Sequence, residues 1–570
     1  MEAKATRLVD AESAKESGGA AVVLNALVVA VPAVLFVLHS LMFSEWIVDD
    51  AGISFSYARN LALGNGLVPQ PGSPPVEGYS NFTWVLLFVP FFVAGAFHPV
   101  IVPKILSLIL VGISFALIAA IIKIARPVAF RLLTFFVLAA LALNTSFVVW
   151  NVSGLENPLF VALLCLLMFQ SVNDVAAAPE TRLIKAGIAG LTAGLIALTR
   201  PEGIIFCFAY PAAQCVAFRA ETPRDSGKLL RELLLYGTVF CLVAGSYFVF
   251  RLSYFNDPFP LPYYAKDVGI MQKLAEIVTL QPGRFLPLLA IVNGIAGRAG
   301  GLIVVMMILM SLGLALKGEW HSEYSVLSLF VILALISNML LPGDWMGEFR
   351  FATFLIVVFY VLAAVVTGSS LAAISISEAV RTPVLVTLVG VCLVATALHH
   401  WDRSVRFART PTLPMDQVAR IIGLKLSTYA ELLGEEKGSV LTPDIGGALY
   451  VDKLKVHDLG GLTDPFIAKG MRRRAHPSEF RQYVFESLKP TFIFTHGTWT
   501  LMYGFFQDRR FAERYVPLFS YEDPFTIGFA GRALPSGFFV RRDIAGRNVP
   551  ILAVIRRDLM NAWQGTLWDF

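Results

Sequence analysis

The sequence predicts a polytopic α-helical membrane protein with a soluble α/β domain at its C-terminal end. Three observations predict it. Of 570 residues, 56% are apolar and only 15% charged, with mean hydropathy +0.67, whereas soluble domains carry about 25% charged residues. Eleven apolar runs approach or reach the length that crosses a bilayer. The charge is also uneven: residues 403–570 hold 40 charged side chains, and the preceding 402 residues hold 47. Together these exclude an ordinary soluble enzyme, a disordered chain and a collagen-like fibre. The net charge of +5 is small for this length and points to no nucleic-acid partner.

In chain order, residues 1–20 form a polar tail, disordered over 1–19. The run 21–43 is a membrane span, too long for a cleaved leader and followed by no small-residue cleavage site. The other spans are 102–122, 132–149, 158–175, 184–199, 203–219, 233–251, 299–317, 324–341, 351–368 and 382–399. The stretch 84–97, WVLLFVPFFVAGAF, is different. Its residues reach only about 21 Å as a helix, short of a core about 30 Å thick, and Pro90 interrupts it. It reads as an interfacial or re-entrant helix inside an outer loop covering 44–101. The membrane domain is then 21–402 and the soluble domain 403–570.

Sidedness follows from basic residues near the spans. The tail carries Lys4, Arg7 and Lys15 and is placed in the cytoplasm. The loop 44–83 has one basic residue, Arg59, against Glu45, Asp49, Asp50 and Glu77, and is placed outside. If 84–97 does not cross, Lys123, Arg126 and Arg131 fall inside, as do Arg182 and Lys185, then Arg219, Arg224, Lys228 and Arg231. Eleven spans put residues 403–570 outside.

In the soluble domain, apolar or alternating runs predict strands at 438–442, 491–495, 537–541 and 550–555, and helices at 415–434 and 478–488. Cys165, Cys207, Cys215, Cys241 and Cys392 all lie in apolar runs, so no disulfide framework is implied. His457 and His496 lack metal-ligand spacing and read as lone histidines.

With this sidedness, every unusual polar segment falls on the outer face: 47–66, 75–84, 151–157, 198–203, 251–266 and 341–350. Charged groups at a membrane edge are costly unless paired or hydrated, so their co-location predicts a polar cavity opening outward, roofed by the soluble domain. Asp49 and Asp50 can deprotonate an incoming hydroxyl or bind a divalent cation, and both readings stand. Arg59, Arg200, Lys266 and Arg350 suit a phosphate. Glu156, Glu202 and Asp344 either bind sugar hydroxyls or partner those cations. Trp84, Trp150, Tyr263, Tyr264 and Trp345 either stack on sugar rings or form an interfacial belt. No phosphate-binding glycine loop or dinucleotide fingerprint is present. A lipid-phosphate-linked substrate fits better than a nucleotide. A flippase for such a lipid is the alternative, though no two-repeat pattern or mid-membrane charge supports it.

The segments DDAGISFSYARNLALGNGLV (49–68) and PVEGYSNFTW (75–84) resemble the first outer loop of GT-C glycosyltransferases. The resemblance is nearest the branch holding the mycobacterial terminal β-(1→2) arabinofuranosyltransferase. SGLEN, TRPEG, NDPFPLPYYAK, GDWMGEFR, TPDIGGALY and HDLGGLTD agree with it in order. Gly52 departs from it, where a bulkier residue is usual. The resemblance implies a GT-C membrane domain in a bacterial plasma membrane, with site and soluble domain outside. It implies transfer of a sugar, arabinofuranose in this branch, from a polyprenyl-phosphate donor to a cell-envelope glycan. The acidic role maps onto Asp49 and Asp50. Lys266 and Arg350 are the leading donor-phosphate ligands, with Arg200 and Arg59 beside them. Glu77, Tyr79, Asn81, Glu156, Glu202, Tyr263, Tyr264, Asp344 and Trp345 are candidates for the sugars.

Overall fold

The structure is a computed structural model. It describes residues 19–563 apart from 126, 177–181, 221–225, 267–268, 298–299, 342, 344–345 and 375–376. The predicted tail therefore lies outside the described residues, except for its last two positions.

Among the described residues, nine helices are long and apolar enough to cross a membrane, from Ala21–Phe43 to Glu378–Arg409, and two bent helix pairs bring the number to eleven. Each coincides with an expected span. The helix Phe82–Val93 is the short exception: its twelve residues cover about 18 Å and cannot cross. Trp84, Val85 and Phe88 face inward from it, and the Trp84 indole donates to the Gly154 carbonyl at 2.9 Å.

The expected span 132–149 is not one straight helix. Phe130–Leu143 and Thr145–Asn151 meet at 68°. Asn144 leaves the helix in extended conformation, and its side chain accepts from the Phe147 amide, restarting the chain as a new helix. The bend swings Trp150 toward the charged end of the bundle. A helix that the apolar pattern did not announce, Pro282–Ala296, precedes Gly300–Leu316.

The last membrane helix, Glu378–Arg409, runs for 32 residues through the change in composition near 403. Beyond it stands a five-stranded sheet: β1 (Ser439–Thr442), β2 (Lys455–Asp458), β3 (Phe492–Thr495), β4 (Tyr515–Asp523) and β5 (Leu534–Arg541). The order is β2-β1-β3-β5-β4; β1 is parallel to both β2 and β3, and β5 is antiparallel to β3 and β4. The expected strand at 550–555 is instead part of the helix Val549–Trp563, which buries Leu552, Ile555, Leu559 and Trp563. Its apolar run was too short to distinguish period two from period 3.6. The runs that form β2 and β4 were not singled out.

The soluble domain is stitched to the first loop by backbone. Val48 and Pro414 form a bridge, the Asp49 amide donates to Leu413 (3.0 Å), and the Met415 amide donates to Ile47 (2.8 Å). Helix Gly446–Val451 lies against helix Asp49–Ala62 so closely that a Cβ at Gly52 would sit 2.4 Å from the Gly446 carbonyl carbon. This contact explains the small residue at position 52.

Candidate active site

The helix Asp49–Ala62 starts where the first span ends, and its two leading carboxylates diverge. Asp49 is buried, and its oxygens accept the Gly446 amide at 3.0 Å and the Gly447 amide at 2.7 Å. At the other end of the same helix, the Arg59 guanidinium donates to the Leu449 and Tyr450 carbonyls and pairs with Asp452 at 3.3 Å. The two helices thus run side by side in the same sense. An acid meets the amide end and a base meets the carbonyl end, each opposing the local backbone charge. Arg59, expected near the donor phosphate, is instead an anchor for the soluble domain.

Asp50 turns the other way. Its carboxylate lies 3.8 Å from Arg350, and 28% of the side chain is accessible. Burial raises its pKa above the ordinary carboxylate value, with Lys266 and then Arg350 opposing and Asp444 and Glu156 adding to the rise. Lys266 caps the short helix Leu261–Ala265. Its residue is exposed, yet protein mass around it lowers its pKa, as does Arg350, while Asp50 opposes. Asp50 and Lys266 thus keep accessible surface beside the buried Arg350, and these three charges border a recess.

Arg350 opens its span directly after a turn and is itself buried. Its guanidinium contacts the Met346 sulfur at 2.8 Å and lies over the Phe351 ring at 4.6 Å. Arg200 lies over the same ring at 5.1 Å. Arg200 ends its span in extended conformation because Pro201 cannot continue the helix. It pairs with Glu156 at 2.9 Å and Glu202 at 2.5 Å. Two carboxylates hold it, so Arg200, Glu156 and Glu202 form a wall of the recess, whereas Arg350 meets Asp50 more loosely. Asn81 extends this wall, donating to Glu156 (2.8 Å) and to Ser54 (3.1 Å), which stands one turn beyond Asp50.

Other expected site residues have different partners. Glu77 receives two hydrogen bonds from Arg251 and one from Tyr247, and so locks the first loop to the helix Ser246–Phe255. Tyr79 is buried against Tyr57 and Tyr247. Tyr263 stacks on Phe259, with Arg472 over its ring. Tyr264 donates to Asp257, which also pairs with Lys469 of the soluble domain at 2.6 Å. These two tyrosines form a second seam between the domains. Asp344 and Trp345 lie outside the described residues. Arg251, Phe351, Asp444 and His496 were not anticipated. A lone arginine inside an apolar run was the available signal for Arg251.

The acidic pair does not fit a divalent cation, since Asp49 spends both oxygens on amides while Asp50 faces cations. Among the described residues, no three His, Cys, Asp or Glu side chains are grouped to hold a metal. A cavity of about 600 Å³ lies elsewhere, on the soluble domain, lined by residues such as Lys489, Arg514 and Arg541 and by none of the expected site residues.

No protein-family model matches this chain, and no curated protein matches it. Solved structures do match. The Archaeoglobus fulgidus oligosaccharyltransferase tethered to an acceptor peptide with the NVT sequon aligns over 88% of this chain and 73% of its own, at TM-score 0.55 and 13% identity. The same organism's oligosaccharyltransferase AglB, in complex with an inhibitory peptide and a dolichol-phosphate, covers 82% and 69%, at 0.52 and 12%. ArnT from Cupriavidus metallidurans bound to undecaprenyl phosphate covers 92% and 98%, at 0.51 and 13%. The chain shares the fold of these structures. Within that fold, the Asp50–Arg350–Lys266 recess lies where the membrane helices meet the C-terminal domain.

Proposed function

We propose that this protein is a membrane glycosyltransferase that moves a sugar from a polyprenyl-phosphate donor to a glycan acceptor of the cell envelope, on the outer side of a bacterial plasma membrane. The single observation that carries this reading is the pairing of Asp50 with Arg350 at 3.8 Å, with Lys266 acting on both, in a recess at the end of an apolar bundle. A carboxylate whose pKa is raised is a stronger base. Two cations beside it suit the phosphate that departs. The lipid tail lies along the apolar helices, where many large hydrophobic side chains face outward.

In the reaction, Asp50 takes the proton of the acceptor hydroxyl. The hydroxyl oxygen bonds to the anomeric carbon, and the bond from that carbon to the phosphate oxygen breaks. The electron pair leaves on the phosphate, which Arg350 and Lys266 stabilise and which needs no general acid. The remaining barrier is orientation and charge stabilisation. Arabinofuranose is the sugar that the sequence resemblance favours. Glu156, Glu202 and Arg200 shape the recess wall. The test is release of polyprenyl phosphate from a labelled polyprenyl-phosphate pentose or hexose by the purified protein. Asp50→Asn is expected to abolish release while still binding the donor, and normal turnover by that variant would remove the proposal.

A further inference from the structure

A soluble-domain acid near Asp49 and Asp50, and the histidine paired with it, have no part in the reaction above. Asp444 lies in the loop after β1, two residues before the amide that Asp49 holds. His496 immediately follows β3, the parallel neighbour of β1. Both therefore leave the C-terminal ends of adjacent parallel strands, the edge where open α/β sheets gather ligand groups. The His496 Nε2 lies 3.0 Å from the Asp444 carboxylate, and each side chain keeps a little accessible surface, 13% and 11%. Asp444 is near enough to Asp50 and Asp49 to act on both carboxylates.

Adhesion alone does not account for this. A soluble domain docking onto the loop gains nothing by bringing a further carboxylate toward the buried Asp49 and the half-buried Asp50, because like charges close together repel. The surroundings are also those of a binding surface. The Trp499 ring edge lies over Gly460, beside the Pro443 carbonyl, and Phe525, 47% exposed, lies next to Gly497. Trp499 and Phe525 thus stand near the loops that carry Asp444 and His496.

We infer that Asp444 and His496 bind the acceptor, and that the acceptor is a glycan whose hydroxyl they hold against Asp50. This rests on the transferase reading above. A sugar hydroxyl both donates and accepts hydrogen bonds, and a carboxylate paired with an imidazole offers both complements. A flat sugar face suits Trp499 and Phe525. The proton lost in transfer goes to Asp50, and the pair orients the hydroxyl without taking that proton.

The test uses the full chain in lipid nanodiscs. A labelled polyprenyl-phosphate pentose or hexose is the donor, and the acceptors are short oligosaccharides, Ser/Thr/Asn peptides, or water alone. Asp444→Asn and His496→Gln are expected to lower kcat/KM for the oligosaccharide by about 10- to 100-fold. For His496→Gln, donor hydrolysis by water and the Kd for polyprenyl phosphate should stay within about twofold, because the phosphate site is untouched; Asp444→Asn should keep that Kd, and its hydrolysis is compared on the pH plateau above the acidic limb. Phe525→Ala, at an exposed site, should raise acceptor KM with kcat unchanged. Parallel loss of hydrolysis and transfer would make the pair structural and overturn the inference. Unchanged acceptor kcat/KM, or a wild-type preference for peptides, would overturn it too. A wild-type chain that releases no polyprenyl phosphate under any condition would overturn the transferase reading, and this inference with it.

Discussion

The carboxylate of Asp50 points at the Arg350 guanidinium 3.8 Å away, while its chain neighbour Asp49 turns onto the amides of Gly446 and Gly447. Successive residues of one helix turn thus face different partners, and under the proposed function substitutions should divide the same way. Asp50→Asn is expected to cut kcat by about 10²- to 10⁴-fold, the usual worth of a positioned base, with the thermal midpoint unchanged. Asp49→Ala strands two buried amides and should cost about 1–3 kcal/mol for each. It should lower the thermal midpoint and expose the segment after Arg409 to protease. The reverse assignment would appear as a stable, inactive Asp49 variant.

Gly446 is the tightest point of the seam. A Cβ there would lie 1.7 Å from the Asp49 carbonyl oxygen, a backbone atom that cannot rotate away. Gly446→Ala should therefore displace the soluble domain at a cost at or above the usual 1–3 kcal/mol of overpacking. Limited proteolysis after Arg409 should accelerate, transfer to an acceptor should be lost, and the helical circular-dichroism signal of the bundle should persist. Gly52→Ala, facing the same contact, should behave alike.

Much of this architecture was legible because a bilayer imposes a length on apolar runs. The eleven spans and the short helix at Phe82–Val93 follow from that rule. Residue types at the rim also pointed to Asp50, Lys266 and Arg350, which the fold brings near one another. Type does not reveal partner, however. Arg59 looked like a phosphate ligand, yet it caps a helix distant in sequence, and Glu77 looked like a sugar ligand, yet it pairs with Arg251. The bend at Asn144 falls where Asn144, Thr145 and Ser146 interrupt the apolar run, a signal that a length rule alone passes over. Asp444 and His496 stood in a domain read as a roof that binds the acceptor or serves structure, and only tertiary packing brings Asp444 near Asp50 and His496 onto Asp444.

The charges around Asp50 fix the direction of its pH response. A base must be deprotonated, so activity falls as pH drops through its pKa, and burial places that fall above the ordinary carboxylate range. Lys266 is the largest opposing charge. Lys266→Gln should raise the pKa further, and the acidic limb of the kcat profile should move to higher pH. Asp444 acts with the opposite sign, so Asp444→Asn should move the limb to lower pH, while Arg350 and Glu156 remain in place. Coincident limbs in all three proteins would show that another group controls the profile.

Arg350 is aimed by an unusual turn. Gly347, Glu348 and Phe349 are consecutive and all have positive φ, at 73°, 46° and 49°. The left-handed conformation costs about 1–2 kcal/mol at each residue bearing a Cβ, so something must hold it. Arg403 and Ser146 bind the Glu348 carboxylate at 2.5 and 3.0 Å, the Trp150 indole donates to its carbonyl at 2.9 Å, and Asn157 donates to the Arg350 carbonyl at 3.0 Å. Without its carboxylate, residue 348 should relax toward negative φ and swing Arg350 from the recess. Glu348→Ala is therefore expected to weaken polyprenyl-phosphate binding by about tenfold, a charge-assisted contact's worth. Arg350→Gln should lose at least as much. Because both act through one guanidinium, the double variant should bind no more weakly than Arg350→Gln alone, as coupled sites do. Full additivity in isothermal titration would show that Glu348 acts elsewhere.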